Sequence, residues 1–184
     1  MVGRGSSAYE RELRTLLEGD APAVRGYARS LPPEHRSSFE RLIEQPYLVI
    51  RGAGSLGFDL VALRREFAFP LEVKASSEPV IRFTAASGRA DAQLAAHRAA
   101  VGRVGLTVLY AYRRLGLRGE ESWRVFLASP PPEYGVLKFL CRRLPPVSAT
   151  REGHGILRWE EGMPLSRFLE QVRFLTERPV TVSA

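Results

Sequence analysis

Two apolar runs, at residues 50–63 and 67–74, constrain this chain more than any other stretch. Each is too short for an ordinary helix, and Arg64-Arg65-Glu66 stands between them, so the pattern predicts adjacent strands of a hairpin. Three charges interrupt the runs: Asp59, Glu72 and Lys74. Side chains alternate faces along a strand, which puts Glu72 and Lys74 on one face and Leu71 and Val73 on the other. Asp59 opens the first strand, and pairing in a hairpin can bring its carboxylate close to that of Glu72. A charge on an apolar strand is costly unless it is paired or holds a metal. A divalent-metal site supplies a reason for all three.

A chain of 184 residues with 45% apolar residues can bury one sizeable core, and a single domain over residues 1–184 is expected. It has no run of about 18 apolar residues, and Arg4-Gly5-Ser6-Ser7 lacks the apolar core of a signal peptide, so a cytoplasmic protein without a membrane partner is expected. The single cysteine, Cys141, excludes an intramolecular disulfide and a thiolate zinc site, and reads as a small core hydrophobe. The histidines, His35, His97 and His154, match no metal-ligand spacing, and no nucleophile elbow is present. The net charge of +7 and a pI near 10.2 suit a polyanionic partner. Arginine carries nearly all of the positive charge. It suits bidentate phosphate contacts, though a GC-rich genome gives the same bias. Against that background Lys74, one of only two lysines with Lys138, stands out as a place where a compact, tunable ammonium is wanted.

In chain order, Ser7-Ala8-Tyr9-Glu10 has capping-box spacing, with Tyr9, Leu13, Leu16 and Leu17 as one apolar stripe and Gly19 as the stop. On that spacing Glu10 is the partner of a Ser7 cap. Residues 20–46 read as an inserted connection broken at Asp20-Ala21-Pro22 and Leu31-Pro32-Pro33, with one short helix from a second capping box at Ser37-Ser38-Phe39-Glu40. A strand is expected at 47–51, then a glycine-rich turn, Gly52-Ala53-Gly54-Ser55-Leu56-Gly57. That turn is neither a phosphate loop nor a dinucleotide fingerprint, because a strand follows where those motifs need a helix. Ser55 reads as an ordinary turn serine. Further expectations are an edge strand at 80–83, a helix at 91–101, strands at 106–112 and 123–127, an apolar patch at 136–140, a strand at 155–159 and a helix at 164–175. Residues from about 130 onward read as a C-terminal extension.

Asp59 followed by Glu72-Val73-Lys74 resembles the Asp…(Asp/Glu)-x-Lys core of the PD-(D/E)XK nuclease superfamily. With Ala8-Tyr9-Glu10-Arg11-Glu12-Leu13, Arg51-Gly52-Ala53-Gly54-Ser55, Asp59-Leu60-Val61-Ala62 and Leu71-Glu72-Val73-Lys74, the chain is similar to the archaeal-type Holliday junction resolvases. The likeness is good over residues 5–19 and 47–75 and fainter through the later strands. Two departures stand out: Gly52 replaces a serine common in the family, and residues 20–46 separate a helix and strand that the family joins directly.

The resemblance implies an α/β fold, a central mixed β-sheet flanked by helices around a restriction-endonuclease-like core. It implies Asp59 and Glu72 as metal ligands, with Glu10 and the Val73 carbonyl completing the set, and Lys74 orienting the attacking water or stabilising the phosphorane. Glu10 thereby acquires a catalytic reading beside its capping one. Arg11 and Arg51 become phosphate-binding residues, and Ser55 joins the substrate-binding set. The implied cofactor is Mg²⁺, with Mn²⁺ as a substitute, held by oxygen ligands with waters retained. The implied activity is metal-assisted hydrolysis by a homodimer that cuts symmetrically opposed strands of a four-way DNA junction. Two other readings stay open: another repair or restriction-like endonuclease of the same superfamily, and a catalytically silent DNA-binding module.

Overall fold

The structure is a computed structural model that describes residues 6–52, 57–83 and 90–177. In chain order its elements are α1 (Ser6–Leu17), α2 (Ala21–Arg29), α3 (Pro33–Glu40), β1 (Leu48–Arg51), β2 (Leu60–Arg64), β3 (Phe67–Ser76), β4 (Val80–Arg82) and α4 (Ala90–Gly102). There follow β5 (Leu109–Arg114), β6 (Trp123–Leu127), α5 (Val136–Cys141), β7 (Ser148–Ala149), β8 (Gly155–Arg158), β9 (Met163–Pro164) and α6 (Leu165–Thr176).

The two apolar runs form the expected hairpin. β2 and β3 pair antiparallel with Leu60 opposite Leu71, and the chain turns at Arg65 and Glu66. Arg65 takes a φ of 51°, the left-handed conformation that such two-residue turns require, and its guanidinium donates to the Thr176 carbonyl at 2.6 Å. β1 pairs with the outer side of β2, while β5 lies parallel to β3 after a crossover through α4. The result is a six-stranded mixed sheet in the order β1-β2-β3-β5-β6-β9. One face carries Val49, Ala62, Leu71, Val73, Ala111 and Val125 against α1, α2, α3, α5 and α6. The other carries Tyr110, Tyr112 and Phe126 against α4 and a small sheet in the order β4-β8-β7. The chain is thus α/β, a central mixed sheet flanked by helices.

Several boundaries differ from the sequence expectation. Residues 20–46 hold two helices, not one. The Asp20 side chain accepts the Ala23 N–H at 2.9 Å, and Pro22 and Pro33 lie in the first turns of α2 and α3. Proline there starts a helix, because the N–H it lacks has no intrahelical partner anyway. Ser37, the cap of the expected box, lies inside α3 and does not cap, and Ser38 is buried and donates to Glu170 Oε1 at 2.7 Å. The patch at 136–140 is the helix α5, and the strand expected from 106 begins at Leu109. Residues beyond 130 supply β9 to the main sheet and α6 to the larger core.

Candidate active site

Asp59 is held from three sides. Its N–H donates to the Leu71 carbonyl at 3.1 Å, its carbonyl accepts the Gly52 N–H at 2.9 Å, and its Oδ2 accepts the Val73 N–H at 2.7 Å. The side chain is therefore fixed where β1, β2 and β3 meet. Gly52 explains itself here, since a Cβ at that position would stand 1.8 Å from the Phe58 carbonyl oxygen. The glycine that departs from the resolvase pattern is what allows the two backbones to approach. Burial first, then the negative charge of Glu72, pushes the Asp59 carboxyl up to about 6, and the Val73 N–H only partly offsets this.

Glu72 and Lys74 share a face of β3, as alternation predicts, and Lys74 Nζ donates to Glu72 Oε1 at 2.6 Å. Glu72 is only 3% exposed, and burial raises its pKa against the pull of Lys74. Its other oxygen, Oε2, is buried without a hydrogen bond of good geometry among the described residues, the Gln93 amide standing near enough only to pull the carboxyl slightly back down. Tyr110, paired across the sheet from Glu72, forms the floor, its ring centroid 5.9 Å from the ammonium.

Two neighbours on α4 are not visible in the motif. Gln93 Oε1 accepts a second hydrogen bond from Lys74 Nζ at 3.1 Å, and His97 Nε2 lies 2.5 Å from the Gly57 carbonyl. Their only sequence signal is their spacing of one helical turn, which points both to the same side.

Glu10 lies beyond the first turn of α1, which already contains Ser7, so the helix runs past the capping box and Ser7 is not the cap. The Glu10 carboxylate instead stands 3.8 Å from Arg51 Nη2, and its charge acts on both Asp59 and Glu72. Beside it opens a cleft of about 160 Å³ lined by Ser7, Glu10, Arg11, Arg14, Arg51 and Leu60. Arg11 and Arg51 are exposed, and Arg14, also paired with Glu18 at 2.9 Å, is a third guanidinium that sequence reasoning passes over. Ser55 falls outside the described residues.

No protein-family model matches the chain, and no curated protein matches it. Among solved structures it is similar to Hjc, a Holliday junction resolvase from the archaeal hyperthermophile Archaeoglobus fulgidus. Identity is 15%, the match covers 73% of this chain and 95% of that one, and the TM-score is 0.47. A likeness of that size leaves the chemistry to the side chains themselves.

Among the described residues, no three His, Cys, Asp or Glu side chains converge into a ready-made metal cage. Two carboxylates are nonetheless enough for Mg²⁺, which keeps several waters of its own. Asp59 and Glu72 fit that requirement: Glu72 is buried with an oxygen unpaired among the described residues, and the Asp59 carboxyl is raised first by burial and then by the charge of Glu72. A cation between them would relieve both costs.

Proposed function

We propose that this chain is a metal-dependent endodeoxyribonuclease that hydrolyses phosphodiester bonds in opposed strands of four-way DNA junctions. The observation that carries the reading is the half-satisfied, buried Glu72 carboxylate beside Asp59 and Lys74. A protein that only binds DNA gains nothing from two acids turned toward phosphate, so the silent binding module is the weaker alternative. Mg²⁺ held by Asp59, Glu72 and the Val73 carbonyl would supply Lewis acidity to the phosphodiester and a bound water of lowered pKa.

The chain's own residues do the rest. Lys74, which donates to Glu72, would be freed by a cation held on that carboxylate and would then have its ammonium available to the attacking water or to the charge growing on phosphorus. Arg11 and Arg51 hold non-bridging oxygens of the backbone in the cleft beside Glu10. Glu10 keeps Arg51 near the site and adds a third acid at its edge. Recognition through phosphates and junction shape follows from a binding surface built of arginine.

Incubation of the protein with a synthetic four-way junction and with linear duplex of the same sequence, with and without Mg²⁺, tests the proposal. Paired nicks in the junction alone, only with the metal, are expected. Asp59→Asn and Glu72→Gln should bind the junction and leave it intact. Equal cutting of linear duplex would favour another repair or restriction-like endonuclease of the superfamily, and a wild-type protein that cuts neither substrate would overturn the reading.

A further inference from the structure

We infer that Gln93 and His97 on α4 are positioning residues that hold Lys74 and the approach to Asp59 in fixed relation to each other. This deepens the nuclease reading above and rests on it. The two side chains are four residues apart and share one helix face. Gln93 uses both ends of its amide: Oε1 accepts from Lys74 Nζ at 3.1 Å, and Nε2 donates to the Gly57 carbonyl at 3.4 Å. His97 closes on the same carbonyl through Nε2 at 2.5 Å. A carbonyl only accepts, so Nε2 carries the proton, and Nδ1 accepts from the Tyr110 hydroxyl at 3.0 Å. The Phe58 ring stacks on the imidazole with centroids 4.5 Å apart. Gly57 and Phe58 immediately precede Asp59, so one face of α4 fixes the segment entering the carboxylate and the amine that faces it.

α4 is itself firmly placed. Asp91 accepts from the His154 ring at 2.5 Å and from the Gly155 N–H at 3.2 Å, Arg98 Nε donates to the Ala128 carbonyl at 2.6 Å, and Leu94 and Val101 are buried. The helix is thus a rigid reference for the site.

The type of residue at 93 also has a reason. If Glu72 held a cation, Lys74 would lose its shortest partner, and the Gln93 oxygen would be the contact that remains. A neutral amide holds an ammonium without neutralising it, leaving the positive charge for phosphate. A carboxylate there would be one more acid in a pocket already crowded with them.

The chain has only two lysines, so a protein labelled with ¹⁵N-lysine gives at most two side-chain ammonium signals by NMR, and Lys138→Arg assigns them. In the wild type the Lys74 ammonium protons should exchange slowly with water, both without Mg²⁺ and after it is added. In Gln93→Ala, which alters a part-exposed side chain, Lys74 keeps only its Glu72 contact, so its ammonium protons should exchange severalfold faster, and kcat on the junction should fall about 10- to 100-fold with KM little changed. His97→Gln, which keeps a donor for the Gly57 carbonyl, should retain more activity than His97→Ala, with near-ultraviolet circular dichroism confirming that both variants fold. A Lys74 ammonium that exchanges no faster in Gln93→Ala than in the wild type overturns the inference whether or not the protein cuts DNA. A wild type that cuts no DNA while Gln93→Ala still speeds the exchange overturns the nuclease reading alone and leaves the positioning contact standing.

Discussion

At Asp59 the fold works against its own stability. The carboxyl titrates near 3.8 in an unfolded chain and near 6 when folded, because burial and Glu72 disfavour its charge. The folded state therefore holds this proton longer, stability falls as pH rises from about 3.8 to about 6, and the whole penalty is in place above that. Asparagine carries no charge and can still accept the Val73 N–H. Asp59→Asn should accordingly raise the melting temperature of the metal-free protein by about 2–5 °C at pH 8 and by almost nothing at pH 4, as scanning calorimetry or fluorimetry would report, while cleavage is lost. A variant equally stabilised at both pH values would mean that the gain has nothing to do with ionisation. Gly52 makes a second residue-level prediction. Its missing Cβ lets the Phe58 carbonyl approach, so Gly52→Ser, the family-like residue, should cost about 1–3 kcal/mol in urea denaturation and displace the segment leading to Asp59.

Elements differ in how far their own residues specify them. The β2–β3 hairpin was legible because its information is local: two apolar runs, a polar turn, and a period of two that puts Glu72 and Lys74 on one side. Asp59, Glu72, Val73 and Lys74 lie in or beside that hairpin, and Glu10 and Arg11 lie on the first helix, whose stripe is equally local. Gln93 and His97 were not legible, because they reach the site only after a crossover, and nothing around them marks an amide or an imidazole as more than a helix residue. The small sheet was legible in part: β4 and β8 form where strands at 80–83 and 155–159 are expected, while β7, with two residues, is too short for any alternation to register. In α2 the signal was present but ambiguous, since Asp-x-Pro can end one element or begin another. If Asp20 begins α2 as the cap geometry indicates, Asp20→Ala should destabilise the protein by about 0.5–2 kcal/mol without touching the site, read as a lower urea midpoint at unchanged slope.

For the whole molecule, the excess of arginine and the exposed edge of the sheet make separate demands. A phosphate-dominated interface releases counterions, so junction affinity should fall about a thousandfold between 50 and 200 mM salt if about six phosphates are engaged, and a flat titration would exclude such an interface. Cutting opposed strands of a junction asks for two sites related by symmetry, and therefore for a second copy of the chain. Among the described residues β1 is one edge of the main sheet, with Leu48 65% exposed and Ile50 50% exposed. Their cross-strand partners continue the same face, Leu48 to Leu63 to Ala68 and Ile50 to Val61 to Pro70, giving beside Asp59 an apolar strip of two rows, each three side chains wide, that runs from the exposed edge to the buried Pro70. A soluble monomer has no use for such a strip at an open strand edge. If two copies meet there, Leu48→Asp with Ile50→Asp should convert a dimer to a monomer in sedimentation velocity. Both side chains point away from the core, so the fold should survive. Because each monomer would still hold Asp59, Glu72 and Lys74, it should nick one strand at a time and accumulate singly nicked junctions that the wild type passes through too quickly to detect. A wild type that sediments as a monomer on junction DNA would remove the basis for paired cutting, whatever becomes of the metal site.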